Sequence, residues 1–192
     1  MAQKRKDWNG LISGFKASDL VFLDESGCNT DMTRRYAYSL GGSRAVDSAP
    51  LSKPKNTTIL SSIQLDGTLR YTTFSGGTTV ERFKRYLETD LLPHLNGNSV
   101  LIMDNMKSHH AKAVKNLLDS SGIRYTYLPP YSLPPYSPDL NPIEKLWSKV
   151  KSLLRKFKAR SLDALPNAIQ HAFQNVSPSD CSGWFRSCGY AL

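Results

Sequence analysis

Cysteine is scarce in this 192-residue chain, and its three cysteines, Cys28, Cys181 and Cys188, make neither a CxxC pair nor an even set. That argues against a disulfide-built scaffold and a thiolate zinc site, and reads as reduced thiols of a cytoplasmic protein. Long apolar runs are missing too. None approaches the roughly 18 residues a membrane helix needs, and the opening MAQKRKDWNG is not followed by a signal-peptide core. No membrane partner is expected. Acids are few: 16 Asp and Glu stand against 25 Lys and Arg, a formal net charge of +9 with no acidic tract. A surplus of that sign points to a polyanionic partner, nucleic acid above all.

What is present supports a single globular core, since 40% of the residues are hydrophobic. Trp8, Leu11, Ile12 and Phe15 recur at helical spacing, so residues 1–18 read as an N-terminal helical segment ending in a breaker at Lys16 to Asp19. Residues 19–192 read as the domain proper. DLVFLDES, YAYSL, NTTILSSIQL and TLRYTTF have the character of strands, and Asp66-Gly67 is a hairpin signal between the last two. Thr78 and Glu81 resemble a capping box for a helix with the stripe Val80, Phe83, Leu87 and Leu91. SVLIMDN (strand), AKAVKNLLDSSG (helix) and IRYTYL (strand) then alternate, which predicts parallel pairing through right-handed crossovers. Ile143, Leu146, Trp147, Val150, Leu153, Leu154 and Phe157 define a long amphipathic helix, with further helices over 162–173 and 181–185. The pattern predicts an α/β fold with a mixed sheet.

Asp24 ends the apolar run LVFLD and Asp104 ends VLIMD, so both carboxylates emerge where buried strands stop, the edge at which open α/β sheets place ligands. Either one alone could be a solvated strand-end residue. Glu144 opens the long helix. Its bland reading is a capping box with Asn141 as N-cap and Pro142 at the first helical position. Helical geometry, however, puts Ser148, Lys151 and Arg155 on its side of the helix, away from the apolar stripe. From Glu144 to Arg160 there are seven basic residues and one acid, a density that suits DNA phosphates better than a merely solvated face. Three carboxylates with no matching histidine or thiol pattern favour Mg²⁺ or Mn²⁺, and two such ions serve in-line phosphodiester displacement. His109 and His110 follow Asp104 closely and are candidate contacts to DNA, or else helix-opening caps. Glu25 is expected to point away from the site, since strand neighbours face opposite ways. Tyr131 and Tyr136 are candidate base-stacking residues, whereas Trp147 fits the core stripe.

FLDESG, IMDN followed by SHH, and above all LPPYSPDLNPIEKLW resemble the catalytic blocks of DDE transposases of the mariner superfamily, in particular those of bacterial insertion sequences. DMTRRYAYS, ERFKRYLE and FRSCGY add to the likeness, which covers nearly the whole chain. The resemblance implies an RNase H-like five-stranded mixed sheet flanked by helices, with Asp24, Asp104 and Glu144 as the metal-binding triad. It implies cleavage at element ends and strand transfer into target DNA, typically at TA, by a homodimer on DNA. Two departures stand out. LPPYS occurs twice in tandem from Leu128 to Ser137, so 39 residues separate Asp104 from Glu144, and removing one copy restores the 34 that the resemblance leads one to expect. The repeat is expected to be a tolerated duplication, its upstream copy bulging outward. About 20 residues precede the first strand, too few for the helix-turn-helix modules with which the family usually reads its ends, which would then come from a product of an upstream frame. Two alternatives stay open: an RNase H-like nuclease, and a degenerate or domesticated DNA-binding relic.

Overall fold

A computed structural model describes residues 2–34, 36–51, 54–129 and 138–190. Among these, five strands form one sheet: β1 (Leu20–Cys28), β2 (Thr57–Gln64), β3 (Leu69–Ser75), β4 (Val100–Met103) and β5 (Arg124–Tyr127), in the order β3-β2-β1-β4-β5. β1, β2 and β3 pair antiparallel, while β1, β4 and β5 pair parallel, so the predicted mixed sheet is present. Asp66 and Gly67 make the β2–β3 turn, with Gly67 at φ +91, and a Cβ there would approach the Pro178 Cα to 2.9 Å. Only glycine fits both demands.

Both faces of the central strands are covered, which explains why VLIM is continuously apolar. Leu20 and Phe22 point into a core built by α1 (Ala2–Ile12), α4 (Ile143–Phe157), α5 (Leu165–Gln174) and α6 (Pro178–Ser187). Phe22 meets the Phe185 ring edge-on at 5.3 Å and Tyr190 at 5.0 Å. Val21 and Leu23 point the other way, into a core with α2 (Val80–Tyr86), the wide turn Leu87–Leu91 that continues it, and α3 (Lys112–Ser121). Gly122 ends α3 in the left-handed conformation, at φ 70.

Several sequence expectations need correction. YAYSL forms no strand: Tyr36, Tyr38 and Leu40 are almost fully exposed in the long connection between β1 and β2, where the segment pairs with no neighbouring strand. That connection is tied to the far end of α4 instead, through Arg160 Nη1 donating to the Thr30 and Met32 carbonyls and a Lys158–Asp47 ion pair at 2.7 Å. The cap of α2 is Thr79 rather than Thr78, its hydroxyl accepting from the Arg82 amide. Phe157 extends the apolar spacing of α4 past the edge of the core and is exposed. α5 starts at Leu165, with Pro166 in its first turn, later than the spacing suggested. α6 is longer than expected because Ser177 and Asp180 form a full capping box. The second LPPYS copy, most of the first, and with them Tyr131 and Tyr136, lie outside the described residues.

Candidate active site

Asp24 belongs to the same face of β1 as Phe22 and is 4% exposed. Its Oδ2 accepts from the Trp147 indole Nε1 at 3.0 Å, so Trp147 is both a core residue and a holder of this carboxylate. Glu144, in the first turn of α4, lies within hydrogen-bonding reach of Asp24. Burial, then the nearby charges of Asp104, Glu144 and Glu25, push the Asp24 carboxyl well above its ordinary range despite the Trp147 bond. Glu144 is pushed up too, chiefly by burial, with Asp24 and Lys151 acting against it.

The capping-box reading of Glu144 fails. Pro142 occupies the N-cap of α4 without any side-chain cap, and Asn141 is buried with both side-chain amide atoms unpartnered. The helix opens through backbone bonds alone, from the Glu144 amide to the Asn141 carbonyl and from the Lys145 amide to the Pro142 carbonyl, each 3.1 Å. The Glu144 carboxylate is directed to Asp24 instead.

Asp104 follows β4 directly, in the parallel half of the sheet, where Leu23 of β1 is paired with Met103. Its Oδ1 accepts from the Met106 amide at 2.9 Å and meets His109 Nδ1 at 2.8 Å. The other ring nitrogen of His109 reaches Glu25 Oε2 at 3.1 Å, and the ring stacks on Phe83 at 4.3 Å. Burial alone would lower the His109 pKa, but its hydrogen bonds to Asp104 and Glu25 prevail and raise it to about 10. Burial pulls Asp104 upward, yet the His109 bond and charge leave it below its usual value.

Two sequence expectations change here. His109 is 0% exposed, so it cannot touch a DNA backbone; its role is internal. Glu25 does face opposite to Asp24, as strand alternation requires, but it is joined to the site through His109 rather than being remote from it. The pairing went unrecognised because Glu25 and His109 lie 84 positions apart, with no periodic signal linking them. His110 is half-buried, stacked on Tyr127 at 4.0 Å and bonded to Asn105 Oδ1 at 3.3 Å.

The basic face divides. Lys151 and Arg155 line one cleft with Asn29, Thr33 and Arg34 beyond the end of β1, and Lys151 is close enough to Glu144 to offset its charge. Ser148 is exposed but borders a different groove, between α4 and α6. Lys149, Lys158 and Arg160 are committed to partners within the protein, Lys149 to Asp180 at 2.5 Å.

Among the described residues, no three histidine, cysteine, aspartate or glutamate side chains stand at coordination distance: Asp24 pairs with Glu144, and Asp104 is held separately by His109. The donor chemistry nevertheless fits a hard divalent ion. Asp104, directly after β4, and Glu144, in the first turn of α4, each raise the pKa of Asp24 in β1, a mutual repulsion that a cation would relieve.

A model of the family described as DDE superfamily endonuclease matches residues 19–166. Among curated proteins no sequence match is found. In structure, the chain is similar to that of a pre-cleavage Mos1 transpososome, at 20% identity and a TM-score of 0.78, covering 97% of this chain and 58% of that one. It is similar to the Mos1 strand transfer complex at 18% identity and a TM-score of 0.71, covering 96% and 56%. The isolated catalytic domain of Mos1 mariner transposase aligns at 17% identity and a TM-score of 0.69, covering 96% and 85%. The chain thus spans little more than half the length of the first two and most of the third. This likeness is one of fold, the RNase H-like mixed sheet flanked by helices.

Proposed function

The chain belongs to the DDE superfamily endonucleases, and on that premise we propose that it is the catalytic part of a mariner-type insertion-sequence transposase. It cuts DNA at the element's ends and joins the freed 3′-hydroxyl to target DNA, at TA dinucleotides. The observation that supports this most is the convergence of Asp24, Asp104 and Glu144 from β1, the end of β4 and the start of α4.

These three residues would hold Mg²⁺ or Mn²⁺, two ions in the full site, a choice that Mos1 paired-end complexes with Mn and with Mg support. When bound, such ions activate a water or 3′-hydroxyl and stabilise the leaving oxygen of an in-line displacement. The protein supplies the rest. Trp147 fixes the Asp24 carboxylate, the Met106 amide fixes Asp104, and α4 delivers Glu144 from a helix docked by five buried apolar residues. Lys151 and Arg155, in the cleft beyond the end of β1, hold the phosphodiester backbone, while Ser148, on the groove between α4 and α6, and the half-buried His110 are further contacts in this reading. A helix-turn-helix protein would read the element's ends for it, and the working assembly is a homodimer on DNA.

A cleavage assay tests this, using duplexes that carry the inverted repeats flanking the chain's own gene, with Mn²⁺, with and without the upstream-frame product. Nicking at the repeat ends and joining to a TA-containing target are expected. Salt-sensitive DNA binding without cleavage under every condition would overturn the enzyme reading in favour of a DNA-binding relic.

A further inference from the structure

We propose that Glu25 and His109 form, with Asp104, a buried positioning chain that presents one oxygen of Asp104 to the divalent cation. The proposal rests on the reading of Asp104 as a metal ligand and extends it to two residues that touch neither DNA nor the ion.

The geometry is specific about which oxygen is held. Met106 N–H and His109 Nδ1 both engage Oδ1 of Asp104, at 2.9 and 2.8 Å, which leaves Oδ2 as the oxygen available for coordination. His109 is in turn fixed from every side. Its Nε2 is bonded to Glu25, its ring is stacked on Phe83, its amide donates to the Met106 carbonyl at 3.0 Å, and its carbonyl accepts from the Tyr127 hydroxyl at 3.0 Å. With both ring nitrogens engaged, the imidazole cannot turn without losing a bond.

The other end of the chain is anchored in the sheet. Glu25 is in β1, paired with Leu60 of β2, so its backbone is held in the sheet. Placing a histidine and a glutamate here is poor economy for stability alone. The surrounding cluster of Leu23, Leu60, Phe83, Leu87 and Met103 is apolar, and Glu25 Oε1 remains buried without a partner. A well-packed apolar pair in place of such a buried charged pair is often neutral or stabilising. What the polar chain provides that an apolar pair cannot is a fixed orientation for Asp104. Hydrogen-bonded partners behind a metal ligand commonly contribute 10–100-fold in affinity or activity.

The test compares His109→Phe, which keeps a ring on Phe83 but loses both side-chain bonds, with His109→Gln, which retains a donor toward Asp104, and with Glu25→Gln. Two properties are measured: melting temperature, and Mn²⁺ affinity by calorimetric titration of the DNA-free protein. His109→Phe should remain folded and bind Mn²⁺ about 10–100-fold more weakly. His109→Gln should recover part of that loss, and Glu25→Gln should show a smaller loss in the same direction. Cleavage by all three should be restored toward the wild-type rate by raising Mn²⁺. Folded His109→Phe and Glu25→Gln proteins with wild-type Mn²⁺ affinity would reduce the chain to packing and overturn the proposal. Should His109→Phe fail to fold, Glu25→Gln decides by the same criterion. Asp104→Asn separates the two levels: wild-type Mn²⁺ binding by that variant defeats the assignment of Asp104 itself, whereas its loss alongside unaffected His109 and Glu25 variants defeats only the positioning chain.

Discussion

On one face of the sheet Asp24 is set against Trp147 and Glu144, and on the other, one residue along the same strand, Glu25 is set against His109 and through it Asp104. The two faces are built from similar apolar cores but solve opposite electrostatic problems. Around Asp24 acid meets acid, the Trp147 indole N–H offsetting part of the charge at Asp24 and Lys151 part of it at Glu144, and the Asp24 and Glu144 pKa values still rise. Around His109 acid meets base. There the imidazole is raised to about 10 and Asp104 is lowered, so the Asp104 charge is offset from inside the protein. One face is therefore waiting for positive charge from outside, and the other already contains its own. The difference separates Asp24 and Glu144, whose charge only a cation would relieve, from Glu25 and His109, which would hold the third ligand, Asp104, still.

The largest effect expected from breaking this comparison is on catalysis. Asp24→Asn, Asp104→Asn and Glu144→Gln should each reduce DNA cleavage by more than about 10⁴-fold, the scale seen when one member of a cooperating catalytic unit is removed. DNA binding, measured by mobility shift, should change little, because it is spread over many phosphate contacts. Wild-type cleavage by any one of the three would remove that residue from the site.

A smaller effect, of opposite sign, is expected on stability. Asp24→Asn preserves both local contacts, since its amide oxygen can accept from Trp147 and its amide nitrogen can donate to Glu144, while it eliminates a buried charge. Without metal, the variant should melt higher than wild type at neutral pH, by about 2–4 °C for each kcal/mol gained. The sign depends on pH. Because the folded-state pKa of Asp24 is raised, its favourable contribution is complete below the unfolded value and is lost as pH climbs through the raised one. The advantage of the asparagine should therefore shrink in acid. The His109 face behaves differently: its imidazolium stabilises fully below the unfolded pKa of about 6.5, and that contribution declines from there and is gone once pH has risen through about 10. Thermal melts from pH 4 to 10 would resolve both windows.

The sheet was readable because its signals are local. LVFLD and VLIMD announce buried strands by continuous apolarity, and each ends in an acid of the candidate site. Glu144 was legible for a related reason, as the acid opening a helix whose apolar stripe fixes its rotation. What escaped depends on tertiary neighbours. YAYSL has strand-like composition but meets no partner strand, and composition does not encode that. Asn141-Pro142 has the letters of a helix cap, yet no side chain caps α4 and the Glu144 side chain is directed to Asp24. His109 looked like a candidate DNA contact, and only the packing of Phe83 over it shows that it is sealed inside. Lys149 and Arg160 likewise count as free charge along the helix until their protein partners are known.

The most direct test of the central claim, that Asp24, Asp104 and Glu144 make one cation centre, is a calorimetric Mn²⁺ titration of the folded, DNA-free wild type beside Glu144→Gln. Glu144 is the right residue to remove, because it reaches Asp24 from another element of the fold and its loss leaves the sheet and the His109 bonds untouched. Wild type should bind Mn²⁺ and gain melting temperature with it, and Glu144→Gln, equally folded, should bind at least about tenfold more weakly, as expected for losing one charged oxygen ligand. Equal Mn²⁺ affinity in the two proteins would contradict the account.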